Sequence, residues 1–207
     1  MNFYDKYILP SFLNCACGSK PIKYQRSKVV PMAEGVVLEV GIGSGLNIPY
    51  YDSSKVNRVI GLDPSEELNA MAKKVAADKG LEVEFILSGA ESIPLPDNHV
   101  DTVLVTYTMC TIPDALSANK EMRRVLKPGG KLIFCEHGLA PDGGVAKWQV
   151  RIDPYWGKIA GGCHLNRDIP QLIQAAGFEI QSMEQMYLPS TPKFAGYNYW
   201  GVATSPD

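Results

Sequence analysis

The 207-residue sequence contains no apolar run close to the roughly 18 residues that would span a bilayer. Its first residues, Met1 to Lys6, also lack the basic start and the continuous apolar stretch of a signal peptide. We therefore predict neither a transmembrane helix nor a cleaved leader, and we expect a cytoplasmic protein.

The sequence also has no large excess of positive or negative residues. Twenty Lys and Arg residues stand against 22 Asp and Glu, which gives a net charge of -2. Such a chain has no field that would hold a phosphate backbone, so nucleic acid is not expected as a partner. The length suits one domain. We assign that domain to residues 1–207, with 1–35 as an N-terminal lead-in or lid and 138–166 as a substrate-side insertion.

The cysteines lack the pattern of a disulfide framework or a metal site. There are five, an odd number at irregular spacing, which is more typical of reduced thiols. Cys15 and Cys17 are separated by one residue, and no second pair completes a zinc site. We therefore predict no bound metal.

Short apolar runs alternate with amphipathic stretches from Val36 onward. The runs predict strands at 36–40, 59–63, 83–87, 100–107, 131–136, 178–183 and 197–204. The amphipathic stretches predict helices at 64–78, 114–126 and 167–176, whereas 138–166 is predicted to be irregular. This order indicates an α/β fold: a Rossmann-like three-layer sandwich of about seven strands, mostly parallel with the last strand antiparallel.

Three glycines follow the first of these strands at alternate positions, Gly41, Gly43 and Gly45. A side chain at Gly41 or Gly43 would block a ligand lying across the carboxyl end of the strand. Asp63 comes 22 positions after Gly41 and closes the second strand, where a carboxylate can accept hydrogen bonds from both hydroxyls of a ribose. Together these features predict a nucleoside-containing cofactor.

The glycine spacing disfavours a dinucleotide. A pyrophosphate site has the pattern G-x-G-x-x-G, whereas position 46 is Leu46 here. Glu39, two residues before the first glycine, opposes a phosphate and suits an ammonium group. At this point the chain resembles the class I S-adenosylmethionine-dependent methyltransferases, whose glycine motif reads like residues 39–45 and whose ribose ligand matches Asp63.

The resemblance continues through residues 88–97, 100–105 and 121–130, which are similar to the family's adenine loop, fourth strand and helix-to-turn signature. It implies S-adenosylmethionine as cofactor and S-adenosylhomocysteine as product. Asn47 either contacts that cofactor or caps a turn. The cofactor-binding residues that the resemblance implies are Glu39, Gly41, Ile42, Gly43, Gly45, Asn47, Asp63, Pro64, Gly89, Ala90, Glu91 and Thr106.

The acceptor would lie beyond the fourth strand and against residues 137–166. This part of the chain holds two candidate bases, His164 and His137, although a histidine satisfied by a hydrogen bond is the common alternative. The expected substrate-binding residues are Tyr107, Cys110, Trp156 and Cys163, with both cysteines acting as small apolar side chains. The acidic metal ligands of catechol-type methyltransferases are not evident, which agrees with the prediction of no metal.

Two subgroups of the family are most similar. Residues 153–156 and 162–167 match the Asp-Pro-x-Trp and Gly-Cys-x-Leu-x-Arg patterns of the alkyl-thiol methyltransferases. The quinone and phospholipid methyltransferases share the glycine motif and the turn at 126–130. We therefore expect methyl transfer to a small hydrophobic acceptor, a thiol in the first case. Those animal thiol enzymes carry an apolar anchor, whereas this lead-in is short and aromatic, so only peripheral membrane contact through the N-terminal segment is expected.

Two functions of other classes stay open. An NAD-dependent oxidoreductase would need a glycine or alanine near position 46. A non-catalytic module that binds S-adenosylmethionine would instead use the aromatic N-terminus to dock a partner.

Overall fold

The computed structural model describes residues 9–206, with the backbone alone at 10–13. Two helices lead in, α1 (Leu9–Cys17) and α2 (Lys20–Val29). Strands and helices then follow in the order β1 (Gly35–Val40), β2 (Val56–Leu62), α3 (Glu66–Lys79), β3 (Val83–Ile86), β4 (Val100–Thr106), α4 (Ala115–Val125), β5 (Leu126–His137), α5 (Gly143–Ile159), α6 (Ile169–Ala175), β6 (Glu179–Tyr187), α7 (Lys193–Gly196) and β7 (Tyr197–Thr204). The aromatic residues before Leu9 lie outside the described chain.

The seven strands form one sheet in the order β3-β2-β1-β4-β5-β7-β6. Strands β1 to β5 pair in parallel, whereas β7 runs antiparallel to both β5 and β6. The predicted Rossmann-like sandwich with a reversed last strand is confirmed. The strand order reverses between β1 and β4, and ligands of such sheets bind outside the carboxyl ends of the strands at this place.

The central strands contain buried apolar runs because helices cover both of their faces. In β1 and β4, Val37, Leu38 and Leu104 are fully buried. Helix α3 begins where the Ser65 hydroxyl accepts a hydrogen bond from the Leu68 amide, which satisfies a free helix N–H. Because β1, β2 and β4 are parallel, the loops that follow them lie at one edge of the sheet.

The prediction that residues 138–166 are irregular is wrong, because α5 occupies 17 of them. The apolar pattern of the sequence did not predict this helix, because its buried positions include the polar Gln149 and Asp153. Two of its large aromatic residues, Trp148 and Tyr155, are exposed instead. The Gln149 side chain donates to the Gly138 and Phe194 carbonyls and accepts from the Ala140 amide. Buried hydrogen bonds from Gln149 therefore help to attach this helix to the domain.

Within residues 9–206, no helix combines the length and the apolar character needed to cross a membrane. The cytoplasmic location and the peripheral membrane contact stay predictions.

Candidate functional site

A cavity of about 340 Å³ lies at the carboxyl ends of β1, β2 and β4. One wall comes from the lead-in helices, which contribute Asn14, Cys17 and Arg26. The floor is the glycine turn after β1, and the far end is formed by residues that follow β4, by the last residue of β5 and by α5 with the turn after it. The cavity therefore combines the predicted cofactor turn with the predicted acceptor segment.

The glycine turn fits closely against the sheet edge. A Cβ atom at Gly41 would lie 2.3 Å from the Thr108 side chain, so no other residue fits there. Gly43 has a positive φ of 54° and borders the cavity, and a Cβ atom at Gly43 would meet nothing closer than the Gly41 carbonyl oxygen at 3.8 Å. The space above Gly43 is thus open to a ligand.

Asp63 is held in one orientation by two backbone donors. Its Oδ2 accepts from the Gly43 amide at 3.0 Å, and its Oδ1 accepts from the Ser65 amide at 2.9 Å. Burial raises the pKa of Asp63, while the two backbone donors oppose that rise. Each carboxylate oxygen keeps a free lone pair, so Asp63 can accept from two neighbouring hydroxyls in the cavity.

Arg26 of α2 is a site residue that the sequence did not reveal. Its guanidinium donates to Asn47 Oδ1 at 2.6 Å and to Thr106 Oγ1 at 2.5 Å, and it lies 5.2 Å from the centre of the Tyr107 ring. The residue is 5% exposed, lines the cavity, and its Nε has no hydrogen-bond partner among the described residues. A buried cation of this kind can bind a carboxylate. Arg26 is one of several basic residues in α2, so no sequence pattern marks it as the one that faces the cavity.

Glu39 lies behind this group. Its carboxylate accepts from Asn47 Nδ2 at 2.9 Å and from the Tyr51 hydroxyl at 2.6 Å. Burial raises the pKa of Glu39 to about 7, although the bonds from Tyr51 and Asn47 and the charge of Arg26 oppose the rise. Asn47 therefore links the Glu39 carboxylate to the Arg26 guanidinium. Neither Glu39 nor Asn47 borders the cavity.

Glu39→Gln is expected to reduce the loss of unfolding free energy between pH 5 and pH 8. The pKa of Glu39 is about 7 in the fold against an ordinary 4.5. The folded state binds the proton more tightly, so the stabilising contribution is complete below pH 4.5 and is lost as the pH rises through about 7. Burial also raises the pKa of Glu136 to about 7, so Glu136 adds to the same loss of stability with rising pH.

Urea unfolding at pH 5 and at pH 8 measures this effect as the difference between the two unfolding free energies. The exposed Glu34→Gln should leave that difference at the wild-type value. An unchanged difference in Glu39→Gln would contradict the buried, protonated Glu39.

The structure separates the predicted cofactor residues into three groups. Gly41, Ile42, Gly43, Asp63 and Thr106 line the cavity. Glu39, Gly45 and Asn47 lie behind its wall. The third group lies outside the cavity lining and comes from the segments after β2 and β3: Pro64, Gly89, Ala90 and Glu91. Ala90 packs in the hydrophobic core, and Glu91 Oε1 accepts from the Asp114 amide at 3.4 Å. Their contact with an adenine stays a prediction.

The four predicted substrate-binding residues meet at the far end of the cavity: Tyr107, Cys110, Trp156 and Cys163. Tyr107 has a positive φ of 53°, and its hydroxyl donates to Asn198 Oδ1 at 2.5 Å. A non-glycine residue with such a φ is strained, and strain of this kind concentrates at functional sites. It turns the chain sharply after β4 and aims residues 108–111 at the cavity.

His137 is the candidate base that borders the cavity. Its Nε2 lies 3.2 Å from Cys163 Sγ. The hydrogen bond from Cys110 and the adjacent His137 lower the pKa of Cys163 to about 4, against the effect of burial. Burial would lower the pKa of His137, yet Cys163 raises it overall. Each side chain therefore favours the charged form of the other.

His164 is placed differently from the prediction. It does not border the cavity, and its Nδ1 lies 2.8 Å from Asp153 Oδ2. The other Asp153 oxygen accepts from the Leu165 amide at 2.7 Å. This arrangement fits the alternative of a histidine satisfied by a hydrogen bond, and it fixes the turn after α5. We therefore do not assign His164 as a base.

The chain is similar in sequence to known methyltransferases. The family model described as a methyltransferase domain matches residues 38–134. A thiol S-methyltransferase of Rattus norvegicus is 33% identical over 79% of this chain and 70% of its own length. A phosphatidylethanolamine N-methyltransferase of Cereibacter sphaeroides is 35% identical over 54% of this chain and 55% of its own.

Solved structures agree on the fold. The crystal structure titled as a putative methyltransferase from Bacillus halodurans superposes with a TM-score of 0.72 at 18% identity, covering 89% of this chain and 99% of the other. At that identity the likeness concerns the fold alone. With the glycine turn, Asp63 directly after β2 and the relatives' sequences taken together, the chain belongs to the class I S-adenosylmethionine-dependent methyltransferases and uses S-adenosylmethionine as its cofactor.

Proposed function

We propose that this enzyme methylates the sulfur of a small hydrophobic thiol. The observation that carries the proposal is the group of Cys110, His137 and Cys163 in an otherwise apolar end of the cavity. Trp156, Leu165, Leu188 and Ala195 supply the apolar surface there. The 33% identical relative named a thiol S-methyltransferase supports the same acceptor class.

The other end of the cavity fits the cofactor. Asp63 presents a fixed carboxylate that can accept from two ribose hydroxyls, and the open space over Gly43 allows close approach of the backbone. Arg26 offers a buried positive charge to the carboxylate of the methionine portion. The bound cofactor supplies a methyl group on a positively charged sulfur, which a nucleophile can displace.

The residues at the acceptor end have two tasks. A methyl on a sulfonium is already activated, so alignment and exclusion of water supply most of the rate enhancement. The apolar side chains perform both tasks for a hydrophobic acceptor. A thiol reacts as its thiolate, so its proton must also leave, and the Cys110–His137–Cys163 group is the polar feature that faces it.

A methyl-transfer assay with matched acceptors tests this proposal. We expect a hydrophobic alkyl thiol to become a thioether 14 mass units heavier than the thiol, while the alcohol of the same carbon skeleton stays unmethylated. Equal methylation of the alcohol and the thiol, or of neither, would contradict a thiol-specific site.

A second candidate acceptor is a phospholipid amine. The relative named a phosphatidylethanolamine N-methyltransferase favours it, although the match covers about half of this chain. Including phosphatidylethanolamine vesicles and a quinol in the same assay distinguishes the candidates, because each product has a different mass. Methylation of the lipid with no thioether would establish the second candidate.

A further inference from the structure

Three possible metal ligands meet at the acceptor end, although they come from distant parts of the chain. Cys110 follows β4, His137 ends β5 and Cys163 follows α5. The two sulfurs and one histidine ring nitrogen all lie within 4.8 Å of one another. The wide separation of these residues along the chain is the reason that the sequence predicts no metal.

The cluster is held together by the fold. The His164 amide donates to the Cys110 carbonyl at 2.8 Å, which ties the two cysteine-bearing segments together. Asp153 fixes the same turn through the Leu165 amide. His137 Nε2 lies 3.2 Å from Cys163 Sγ, so Nε2 is the ring nitrogen placed to bind a metal together with the two sulfurs.

The donor set selects the metal. Two thiolates and an imidazole are soft to borderline ligands, which suit Zn²⁺ and do not suit Mg²⁺ or Ca²⁺. Two thiolates also neutralise the charge of the ion, which favours binding in an apolar setting. Catalytic zinc sites use three protein ligands and keep the fourth position open. All three residues line the cavity, so a fourth position here would face the acceptor.

We propose that Cys110, His137 and Cys163 bind one Zn²⁺ ion whose open position takes the sulfur of the acceptor. The zinc site stands on the geometry alone, whereas its role toward a thiol rests on the proposed function. Ligand atoms around tetrahedral zinc lie about 3.6–3.8 Å apart, as follows from bond lengths near 2.0–2.3 Å. The 3.2 Å between Cys163 and His137 must therefore lengthen by a few tenths of an ångström.

The ion would supply the thiolate that the reaction needs. The acceptor thiol enters the open position and releases its proton to solvent, and its sulfur remains bound as a thiolate. A lone pair of that sulfur forms the new bond to the methyl carbon. The bond between that carbon and the sulfonium breaks, and its electron pair stays on the cofactor sulfur. The neutral thioether is a poorer ligand than the thiolate and leaves the ion.

Metal analysis of the full-length protein tests the site without any substrate. The untagged protein is prepared with a reductant, incubated with Zn²⁺ and dialysed, and zinc is counted by mass spectrometry. We expect about one ion per chain. Cys110→Ser, His137→Ala and Cys163→Ser should each weaken zinc binding beyond the roughly 10–100-fold that loss of an outer-shell partner costs. Cys135→Ser, which removes a buried thiol outside the cluster, should bind as tightly as the wild type.

Cobalt provides a second measurement. Co²⁺ in place of zinc should show thiolate-to-cobalt charge-transfer absorption that disappears in Cys163→Ser and persists in Cys135→Ser. No retained zinc, or equal zinc in Cys163→Ser and the wild type, would overturn the site. An intact mass two units below that of the reduced chain, with no metal, would overturn it in favour of a Cys110–Cys163 disulfide.

The acceptor assay then separates the two proposals. Loss of thioether formation on chelation, with recovery on adding Zn²⁺, would support the role of the ion. Undiminished thiol methylation in the metal-free enzyme would keep the proposed function and overturn that role. Tight zinc binding with no thiol methylated would keep the site and overturn the proposed function.

Discussion

Asp63→Ala is expected to weaken the binding of S-adenosylmethionine about a hundredfold. Two hydrogen bonds from ribose hydroxyls to a buried carboxylate are worth about 3 kcal/mol together, and each 1.4 kcal/mol corresponds to a factor of ten. Asp63→Asn keeps one acceptor oxygen and loses the charge, so its affinity should lie between those of the wild type and Asp63→Ala. Calorimetric titration with S-adenosylmethionine measures all three dissociation constants.

A second aspartate provides the matched control for this experiment. Asp101 also accepts from a backbone amide, that of Val36, and it pairs with Lys127 near the start of β4. In a parallel sheet, that position lies at the edge opposite the cavity. Asp101→Ala should therefore bind the cofactor as the wild type does. Wild-type affinity in a folded Asp63→Ala protein would contradict the ribose role of Asp63.

Gly43→Val is expected to reduce cofactor affinity by a hundredfold or more. The backbone at Gly43 has a positive φ, and its missing side chain leaves open space at the cavity. A glycine turn of this kind binds its ligand through close approach of the backbone. A valine side chain would place three carbon atoms in the space that the cofactor needs. Calorimetric titration measures the loss.

The control must reproduce the backbone strain without the steric block. Gly80 ends α3 with a φ of 64°, and a Cβ atom there would meet nothing within 4 Å. Gly80→Val should lower the free energy of unfolding by a similar amount to Gly43→Val, about 1–3 kcal/mol, yet keep wild-type cofactor affinity. Equal loss of affinity in both variants would mean that strain, and not occupation of the cavity, causes the effect.

Patterns within short segments predicted the sheet and the cofactor turn. Strands β1 and β4 each contain a short apolar run, and the glycines with Asp63 form a motif whose spacing has a direct geometric meaning. Helix α5 was not predicted because its buried residues include Gln149 and Asp153, which form hydrogen bonds to backbone groups outside the helix. No periodicity records such bonds.

The acceptor end was the hardest part to predict for the same reason. His137 and His164 are alike in sequence, since both lie near aromatic and cysteine residues at or beyond the end of β5. Only the fold brings His137 to Cys163 and the cavity while it turns His164 toward Asp153. Arg26 likewise becomes a site residue only because α2 packs across the end of β4, some 80 residues away in the sequence.

The central claim is that one cavity holds the cofactor at Asp63 and Gly43 and directs its sulfur toward Cys110, His137 and Cys163. A crystal structure with S-adenosylhomocysteine tests it most directly. We expect the ribose hydroxyls within hydrogen-bond distance of Asp63, the carboxylate at Arg26 and the sulfur facing the cysteine and histidine end. A ligand bound elsewhere, or with its sulfur turned away from that end, would contradict the account.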